Sequence, residues 1–291
     1  MTASELPPIR LHEDPELFGE SVDYTSATTG FVARLVEKDY FCSVVLLHLA
    51  SVSNLVFRGG TCLAKVHAEF YRLSEDLDFV IPTPVDEPRR ERSRRATAAK
   101  RAVESLDETL GLRAVEPLIG SNESRQYVGK IGYDSVFGSR EETIKIEISL
   151  REPLRESLIE GRLRTLMLDP IAGSSRIPRF RFDCLTWREA MAEKMRAALC
   201  RREVAIRDFY DLDHAVHRQG LDLHDREFHS LLGSKLAVPG NDPVNVEGAR
   251  LATLRLQLES ELKPALRPVD FEGFDLERAI DLVTTMAAAV G

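Results

Sequence analysis

The feature that most constrains the fold of this chain is the segment Asn54–Ile81. It combines a short apolar strand, a Gly-Gly turn, a predicted helix and a second strand. In the second strand apolar and acidic residues alternate, and residues two apart in a strand point to the same face. Asp76 and Asp78 therefore project together, while Leu77 and Phe79 pack behind them. The segment predicts a sheet with one apolar face and a pair of carboxylates on the other.

Two neighbouring carboxylates repel each other unless a cation lies between them. Mg²⁺ is the cation that this pattern favours, because it prefers oxygen ligands and is usually shared with substrate phosphates. At the turn, Gly59 and Gly60 let backbone amides approach a phosphate without interference from a Cβ atom. The helix that follows, with Thr61 as its expected N-cap, adds a favourable dipole. The segment is therefore a candidate magnesium and phosphate site.

A third carboxylate stands in the predicted strand Thr143–Leu150, where Lys145, Glu147 and Ser149 share one face. The strand Gln126–Val136 precedes it, and a turn at residues 137–139 predicts that the two strands are paired. If this pair lies beside the Asp76 strand, Glu147 completes a three-carboxylate, two-metal arrangement. Such an arrangement orients an attacking hydroxyl and stabilises a leaving pyrophosphate.

The order of the predicted elements indicates an α+β fold with two domains. We expect an extended arm over residues 1–22, a mixed sheet with flanking helices over 23–155, and a helical domain over 156–291 that completes an active-site cleft. A helix over 154–168 is the first element expected after Pro153. The charged segment 89–110 is predicted to form one further helix.

Composition excludes several classes of protein. Hydrophobic residues make up 43% and charged residues 30%, which is typical of a globular protein rather than a disordered one. We expect neither a membrane span nor a secretory signal, because no apolar stretch is long enough and the N-terminus lacks a basic and apolar leader. The four cysteines form no C-x-x-C pair, so reduced thiols and a cytoplasmic location are expected.

Charge is distributed unevenly along the chain. The net charge is −8, yet residues 89–101 contain seven basic residues and one acidic residue, so the remainder carries −14. Such a cluster could bind the phosphates of a folded RNA, or it could pair with the acidic surface of this protein or of a partner. The candidate RNA-binding residues are Arg89, Arg90, Arg92, Arg94 and Arg95.

Several motifs in combination resemble the AbiEii/AbiGii family of toxin nucleotidyltransferases, within the DNA polymerase β-like superfamily. The resemblance covers about residues 30–218. The family commonly has Lys where Arg58 precedes the glycines, so the positive charge is kept. The motifs that carry the resemblance are Val36–Tyr40, Phe57–Lys65, Phe70–Phe79, Leu185–Lys194 and Arg207–Leu212.

The resemblance implies a Mg²⁺-dependent enzyme of a toxin–antitoxin or phage-defence system that transfers a nucleoside monophosphate from an NTP. The implied acceptor is the 3′ end of tRNA or another RNA, and a cognate antitoxin protein is the implied partner. Asp76 and Asp78 would bind metal, and Glu147 would be the third ligand or the base. Gly59, Gly60 and Thr61 would hold the phosphates, with Arg58, Lys65 or Lys194 balancing their charge. Asp211 would orient Lys194 or contact the nucleotide, or serve a structural role.

Two other functions fit parts of the sequence. A nucleotidyltransferase that modifies a small molecule, such as an aminoglycoside, would share the carboxylates, although the Arg89–Arg101 cluster does not suit a cationic drug. A catalytically inactive relative that binds only RNA or protein would have no need of clustered acidic residues.

Overall fold

A computed structural model describes residues 8–138 and 141–290, which divide into two compact units. The first unit runs to Leu154 and resumes over Leu158–Leu185. The second unit comprises Arg155–Ser157 and the chain from Thr186 onward. The sheet unit therefore continues beyond the boundary expected near residue 155.

Near the start of the described part of the first unit, Leu11–Glu13 and Pro15–Thr29 are helical and do not form an extended arm. Asp14 caps the second of these helices by accepting a hydrogen bond from the Leu17 amide, and Pro15 suits the first helical position. The expected extended conformation is therefore wrong for residues 15–22, while residues 1–7 of that arm lie outside the described residues. The helices of this unit are α1 (Pro15–Thr29), α2 (Ala33–Leu49), α3 (Gly59–Cys62), α4 (Arg89–Arg95), α5 (Thr97–Glu104) and α6 (Leu106–Leu110).

The described part of the first unit contains a seven-stranded mixed sheet in the order β3-β4-β5-β2-β1-β7-β6. Strand β2 runs antiparallel to β1 and parallel to β5, and β1 runs parallel to β7. The strands are β1 (Val56–Arg58), β2 (Leu77–Val80), β3 (Arg113–Ser121), β4 (Gln126–Asp134), β5 (Glu141–Ser149), β6 (Ile159–Leu163) and β7 (Phe180–Cys184).

The predicted pairing of the 126–136 and 143–150 segments is confirmed, because β4 and β5 are antiparallel neighbours over their full length. Ser139 of the expected turn lies outside the described residues. The helix expected over 154–168 is wrong, since Ile159–Leu163 forms β6 against β7. The single helix expected over 89–110 is instead the succession α4, α5 and α6.

Aromatic and aliphatic side chains fill the interior of this unit. Phe57, Phe79 and Phe182 lie on the three adjacent strands β1, β2 and β7, with ring centroids 5.6 to 5.8 Å apart. On the helical side, Phe41 of α2 stacks on Tyr133 of β4 at 4.0 Å. Burial of large apolar side chains contributes about 1.5–3 kcal/mol each, so these contacts fix α2 against the sheet.

The second unit is helical in its described part. Thr186 caps the first helix through the Glu189 amide, and Gly220 ends the second in a left-handed conformation. The helices are α7 (Trp187–Cys200), α8 (Ile206–Gln219), α9 (Arg226–Leu236), α10 (Gly248–Gln257), α11 (Pro268–Glu272) and α12 (Leu276–Val290). Among the described residues, no helix combines the length and apolar character needed to cross a membrane.

Candidate active site

A row of charged side chains crosses three adjacent strands at the centre of the sheet. Arg58 of β1 lies opposite Asp78 of β2, and Asp78 lies opposite Glu147 of β5. Residues directly opposite each other on paired strands point to the same face. Hydrogen bonding between β2 and β5 therefore brings together two carboxylates that are far apart in the sequence.

Strand β2 has the predicted alternation. Leu77 and Phe79 are fully buried, whereas Asp76 and Asp78 are partly exposed. Burial of the two apolar residues also fixes the face on which the carboxylates lie. A register shift of one residue would move every side chain of the strand to the opposite face. The acidic pair therefore lies on the face of β2 opposite the aromatic core.

Lys145 joins the carboxylates from β5. Its Nζ lies 2.9 Å from Glu147 Oε2. Burial raises the pKa of Glu147, but the hydrogen bond from Lys145 and the charges of Lys145 and Arg58 outweigh burial, and the pKa lies below its ordinary value. For Lys145, burial lowers the pKa, but Glu147 and the charges of Asp76 and Asp78 together outweigh burial and raise it. Lys145 is therefore, with Arg58, a cation that lies among these carboxylates.

The Gly-Gly segment lies directly against β2. Helix α3 begins at Gly59, whose φ is +76°, and a Cβ atom there would lie 2.3 Å from Asp78 Oδ2. A Cβ atom on Gly60 would lie 2.5 Å from the guanidinium of Arg72. Both positions therefore require glycine for close approach, and Gly59 also requires it for its backbone conformation.

Thr61 contacts the acidic strand rather than the start of a helix. The expected N-cap is wrong, because the helix begins two residues earlier and Arg58 precedes it. The Thr61 hydroxyl donates to the backbone carbonyl of Asp76 at 2.5 Å. This bond fixes the Gly-Gly segment relative to the first carboxylate.

Lys65 is not presented to solvent. Its side chain is 0% exposed, and its Nζ lies 2.6 Å from Asp39 and 2.8 Å from Ser43, both on α2. A buried ion pair requires excellent geometry to offset the cost of removing both charges from water. The expectation that Lys65 balances nucleotide charge does not fit this burial, and the residue instead joins α2 to the segment after α3.

The carboxylates do not form the expected three-ligand cluster. In the described parts of the chain, no group of three or more His, Cys, Asp or Glu side chains is arranged to hold a metal ion. Asp76 and Asp78 nevertheless fit a hard divalent cation, since both offer carboxylate oxygens and both are partly exposed. Glu147 is engaged by Lys145 instead.

In the second unit, Lys194 of α7 forms ion pairs with two carboxylates of α8. Its Nζ lies 2.7 Å from Asp208 and 2.8 Å from Asp211. Asp211 is fully buried, and Asp208 also pairs with Arg201 at 3.3 Å. The structure therefore brings the predicted pair Lys194 and Asp211 together, and it adds Asp208 as a second partner.

The predicted RNA-binding arginines differ in accessibility. Arg92 is buried and donates to the Glu123 carbonyl, so it is unsuited to binding RNA. Arg94 and Arg95 are exposed but pair with Glu91 and Glu87, respectively. Arg89 and Arg90, at the start of α4, are both exposed.

Lys145 and Asp208 are not among the site residues predicted from the sequence. For Lys145 the signal was present, because it shares a strand face with Glu147 at a spacing of two residues. For Asp208 the i, i+3 spacing to Asp211 placed both carboxylates on one face of a helix. Only the packing of α7 against α8 shows that a single lysine binds both.

Comparison with known proteins finds solved structures with a similar fold. The structure of MenT4, a nucleotidyltransferase toxin from Mycobacterium tuberculosis H37Rv, is 20% identical, with a TM-score of 0.56 and coverage of 89% of this chain and 92% of that chain. JHP933 from Helicobacter pylori is 15% identical, with a TM-score of 0.50 and coverage of 89% and 93%. A search of curated proteins gives no significant match.

These structural likenesses concern the fold, and the sequence carries the assignment further. The model of the family described as "Nucleotidyl transferase AbiEii toxin, Type IV TA system" matches residues 46–282. That range includes the Gly-Gly segment, all three carboxylates and the Lys194 pair. The chain therefore belongs to the AbiEii family of nucleotidyltransferase toxins.

Proposed function

We propose that this toxin transfers a nucleoside monophosphate from an NTP to the 3′-terminal hydroxyl of tRNA and releases pyrophosphate, in a Mg²⁺-dependent reaction that blocks translation. The observation that carries the proposal is the row of Arg58, Asp78 and Glu147 beside a Gly-Gly segment. A cytoplasmic role in phage defence, opposed by a cognate antitoxin, fits this chemistry.

In the proposed site, one set of residues binds the metal ion and a second set binds the phosphates of the NTP. Asp76 and Asp78 would hold Mg²⁺, which supplies charge neutralisation of the triphosphate when bound. The first turn of any helix has backbone N–H groups without intrahelical acceptors, and those of α3 follow Gly59 directly. We assign Gly59, Gly60 and Thr61 to phosphate binding, with Arg58 balancing phosphate charge.

Glu147 is the third carboxylate of the site. It lies opposite Asp78 on the neighbouring strand. We assign to it the role of the base that accepts the proton of the acceptor hydroxyl.

Lys194 and Asp211 are assigned to the same reaction. A lysine ammonium is a mobile point charge suited to a triphosphate. The buried carboxylate of Asp211, 2.8 Å from Lys194 Nζ, supports a role in orienting that ammonium.

For the acceptor, we assign backbone contacts to the start of α4. Arg89 and Arg90 are exposed members of the basic segment, and neither takes part in any of the ion pairs described above. Each phosphate contact that a protein makes steepens the salt dependence of binding. The double substitution of Arg89 and Arg90 by alanine should therefore raise the RNA concentration needed for transfer and make transfer less sensitive to salt.

The test is a labelling reaction with each α-³²P NTP, Mg²⁺ and total RNA, beside the same RNA after periodate oxidation, which destroys terminal 2′,3′-diols. We expect label in the tRNA band with intact RNA alone. Asp78→Asn should reduce it by at least about 10²-fold, the usual scale for loss of a charge-stabilising group in an active site. Asp134→Asn, at an exposed carboxylate on β4, serves as the matched control and should label normally.

Other outcomes distinguish the alternatives. Equal labelling of oxidised RNA would contradict the 3′-hydroxyl as acceptor, and label appearing only in an added aminoglycoside would identify a small-molecule transferase. Full activity of Asp78→Asn would refute the carboxylate assignment. Failure to label anything, with normal RNA retention, would indicate a binding protein without transferase activity.

A further inference from the structure

We propose that Lys145 is a built-in cation of the acidic site that holds Glu147 in an ion pair and restricts the site to one divalent metal ion, on Asp76 and Asp78. The inference rests on the proposed function for the identity of the metal-binding pair. It departs from the two-metal arrangement that three carboxylates alone would predict. Lys145 would act as a positioning residue, through Glu147, and not by contact with the substrate.

The first support is the position of Lys145 in the sheet. Strands β2 and β5 are parallel, with Leu77 opposite Ile146 and Asp78 opposite Glu147. Asp76 immediately precedes Leu77, just ahead of β2, and Lys145 immediately precedes Ile146 on β5. The ammonium therefore belongs to the same small array as the carboxylates, and it lies 2.9 Å from Glu147 Oε2. The charges of Asp76 and Asp78 both raise the pKa of Lys145, as expected if all these groups are near one another.

The second support is that Glu147 is engaged from three strands. Lys145 approaches along β5, the charge of Arg58 acts from β1, and the side chain of Gln126 donates from β4. A carboxylate has a limited number of lone pairs, and those used by donors are not available to a metal ion. Consistent with this competition, no three-carboxylate metal cluster is found within the described residues.

The third support is the charge of the array. Asp76, Asp78 and Glu147 carry three negative charges, and Lys145 and Arg58 carry two positive ones. One divalent ion therefore leaves the array with a single positive charge. Three carboxylates with two divalent ions and no basic residue would have the same charge. Lys145 and Arg58 thus supply the positive charge that a second metal ion would supply. Because both side chains are held in place by the sheet, no second ion has to be bound from solution.

The test counts Mn²⁺ ions bound to the full-length protein without nucleotide, by electron paramagnetic resonance and calorimetry. We expect one ion per chain for the unsubstituted protein and a second, weaker ion for Lys145→Met, in which Glu147 is released. Lys145→Arg keeps the charge and should stay at one ion. Lys145→Met with Glu147→Gln should return to one ion, because the additional ligand has been removed.

Lys130→Met is the matched control. Lys130 lies opposite Lys145 on β4 and is similarly exposed, at 41% against 39%, but it pairs with Glu116. The Lys130→Met variant should bind one Mn²⁺ ion, as the unsubstituted protein does. If Lys145→Met binds no more ions than the unsubstituted protein, or if the unsubstituted protein already binds two at this site, the inference is wrong. Unchanged Mn²⁺ binding by Asp78→Asn would instead refute the metal pair of the proposed function. Circular dichroism checks that each variant is folded.

Discussion

Gly59 is required both for the conformation of the backbone and for the space that the Asp78 side chain occupies. Its φ of +76° is left-handed, and its missing Cβ makes room for Asp78. An alanine in this conformation costs about 1–2 kcal/mol for the backbone alone. At Gly59 the methyl group must also displace a carboxylate that is assigned to metal binding.

We expect Gly59→Ala to lose at least about 10²-fold in nucleotide transfer, the scale for misplacement of a catalytic group by about 1 Å. Gly111→Ala is the control, because Gly111 has φ +67° and a Cβ atom there would meet no other atom within 4 Å. Both variants should lose stability in thermal denaturation, and only Gly59→Ala should lose activity. Equal activity of the two variants would show that the space beside Asp78 is not required.

For a single residue, the sequence indicates which face of a strand the side chain occupies but not which residue it pairs with. The alternation in β2 was sufficient to predict that Asp76 and Asp78 project together, and the burial of Leu77 and Phe79 confirms it. The pairing of Lys145 with Glu147 was not predictable in the same way. A lysine and a glutamate two residues apart on a strand can form an ion pair or bind separate groups. Which occurs depends on the neighbouring strands.

Among the elements, α2 links the two parts of the candidate site. It carries Asp39, which pairs with Lys65 beyond α3, and Lys38, whose Nζ lies 3.0 Å from Glu75 just before Asp76. One helix therefore contacts the segment after the Gly-Gly turn and the segment that leads into β2. We expect the stability of α2 packing and the geometry of the carboxylates to be coupled.

Lys65→Met should lower the free energy of unfolding by about 3–5 kcal/mol, because Asp39 is left as a buried, unpaired charge. The measurement is urea denaturation at neutral pH. Lys65→Met combined with Asp39→Asn should recover much of the loss, since the stranded charge is then removed. Lys263→Met breaks an exposed pair with Glu259 and should change stability by less than about 1 kcal/mol. A loss for Lys65→Met no larger than this control would contradict a structural ion pair.

The sequence predicted some elements and missed others for physical reasons. Strands β4 and β5 alternate clearly, and their adjacency followed from the short connection between them. β6 contains Gly161, Glu160 and Arg162 in five residues and exposes three positions, so its pattern is weak. β7 does alternate, with Phe180, Phe182 and Cys184 buried, and an alternation of this kind predicts a strand.

Across the whole molecule, half-buried histidines make the free energy of unfolding dependent on pH. Burial lowers the pKa of His12, His67 and His214, which lie in both units. The carbonyl of Leu110 accepts from Nε2 of His12, and the hydroxyl of Tyr40 lies 2.9 Å from Nδ1. Since a carbonyl only accepts, the neutral ring carries its hydrogen on Nε2, and Nδ1 accepts from Tyr40.

An unfolded chain binds protons at these histidines from about pH 6.5 downward, whereas the folded chain resists protonation until lower pH. Their contribution to stability is therefore complete above that pH and is lost as the pH falls below it. We expect the free energy of unfolding to drop between about pH 7.5 and 5.5, by up to about 1.4 kcal/mol per histidine for each unit of pKa difference. His12→Gln should reduce this drop. An identical pH dependence in the variant would exclude His12 as a contributor.

Strand β7 has a consequence for the synthesis of the toxin. It covers one side of β1, the strand that ends in Arg58, although β7 ends at Cys184. A polypeptide leaves the ribosome from its N-terminus. More than a hundred further residues must therefore be synthesised after β1 before β7, its second neighbouring strand, is present. A message truncated before the β7 codons would encode Asp76, Asp78 and Glu147, but its product would leave β1 as an unprotected sheet edge. Prematurely terminated chains should therefore be prone to aggregation even though they carry every proposed metal-binding carboxylate.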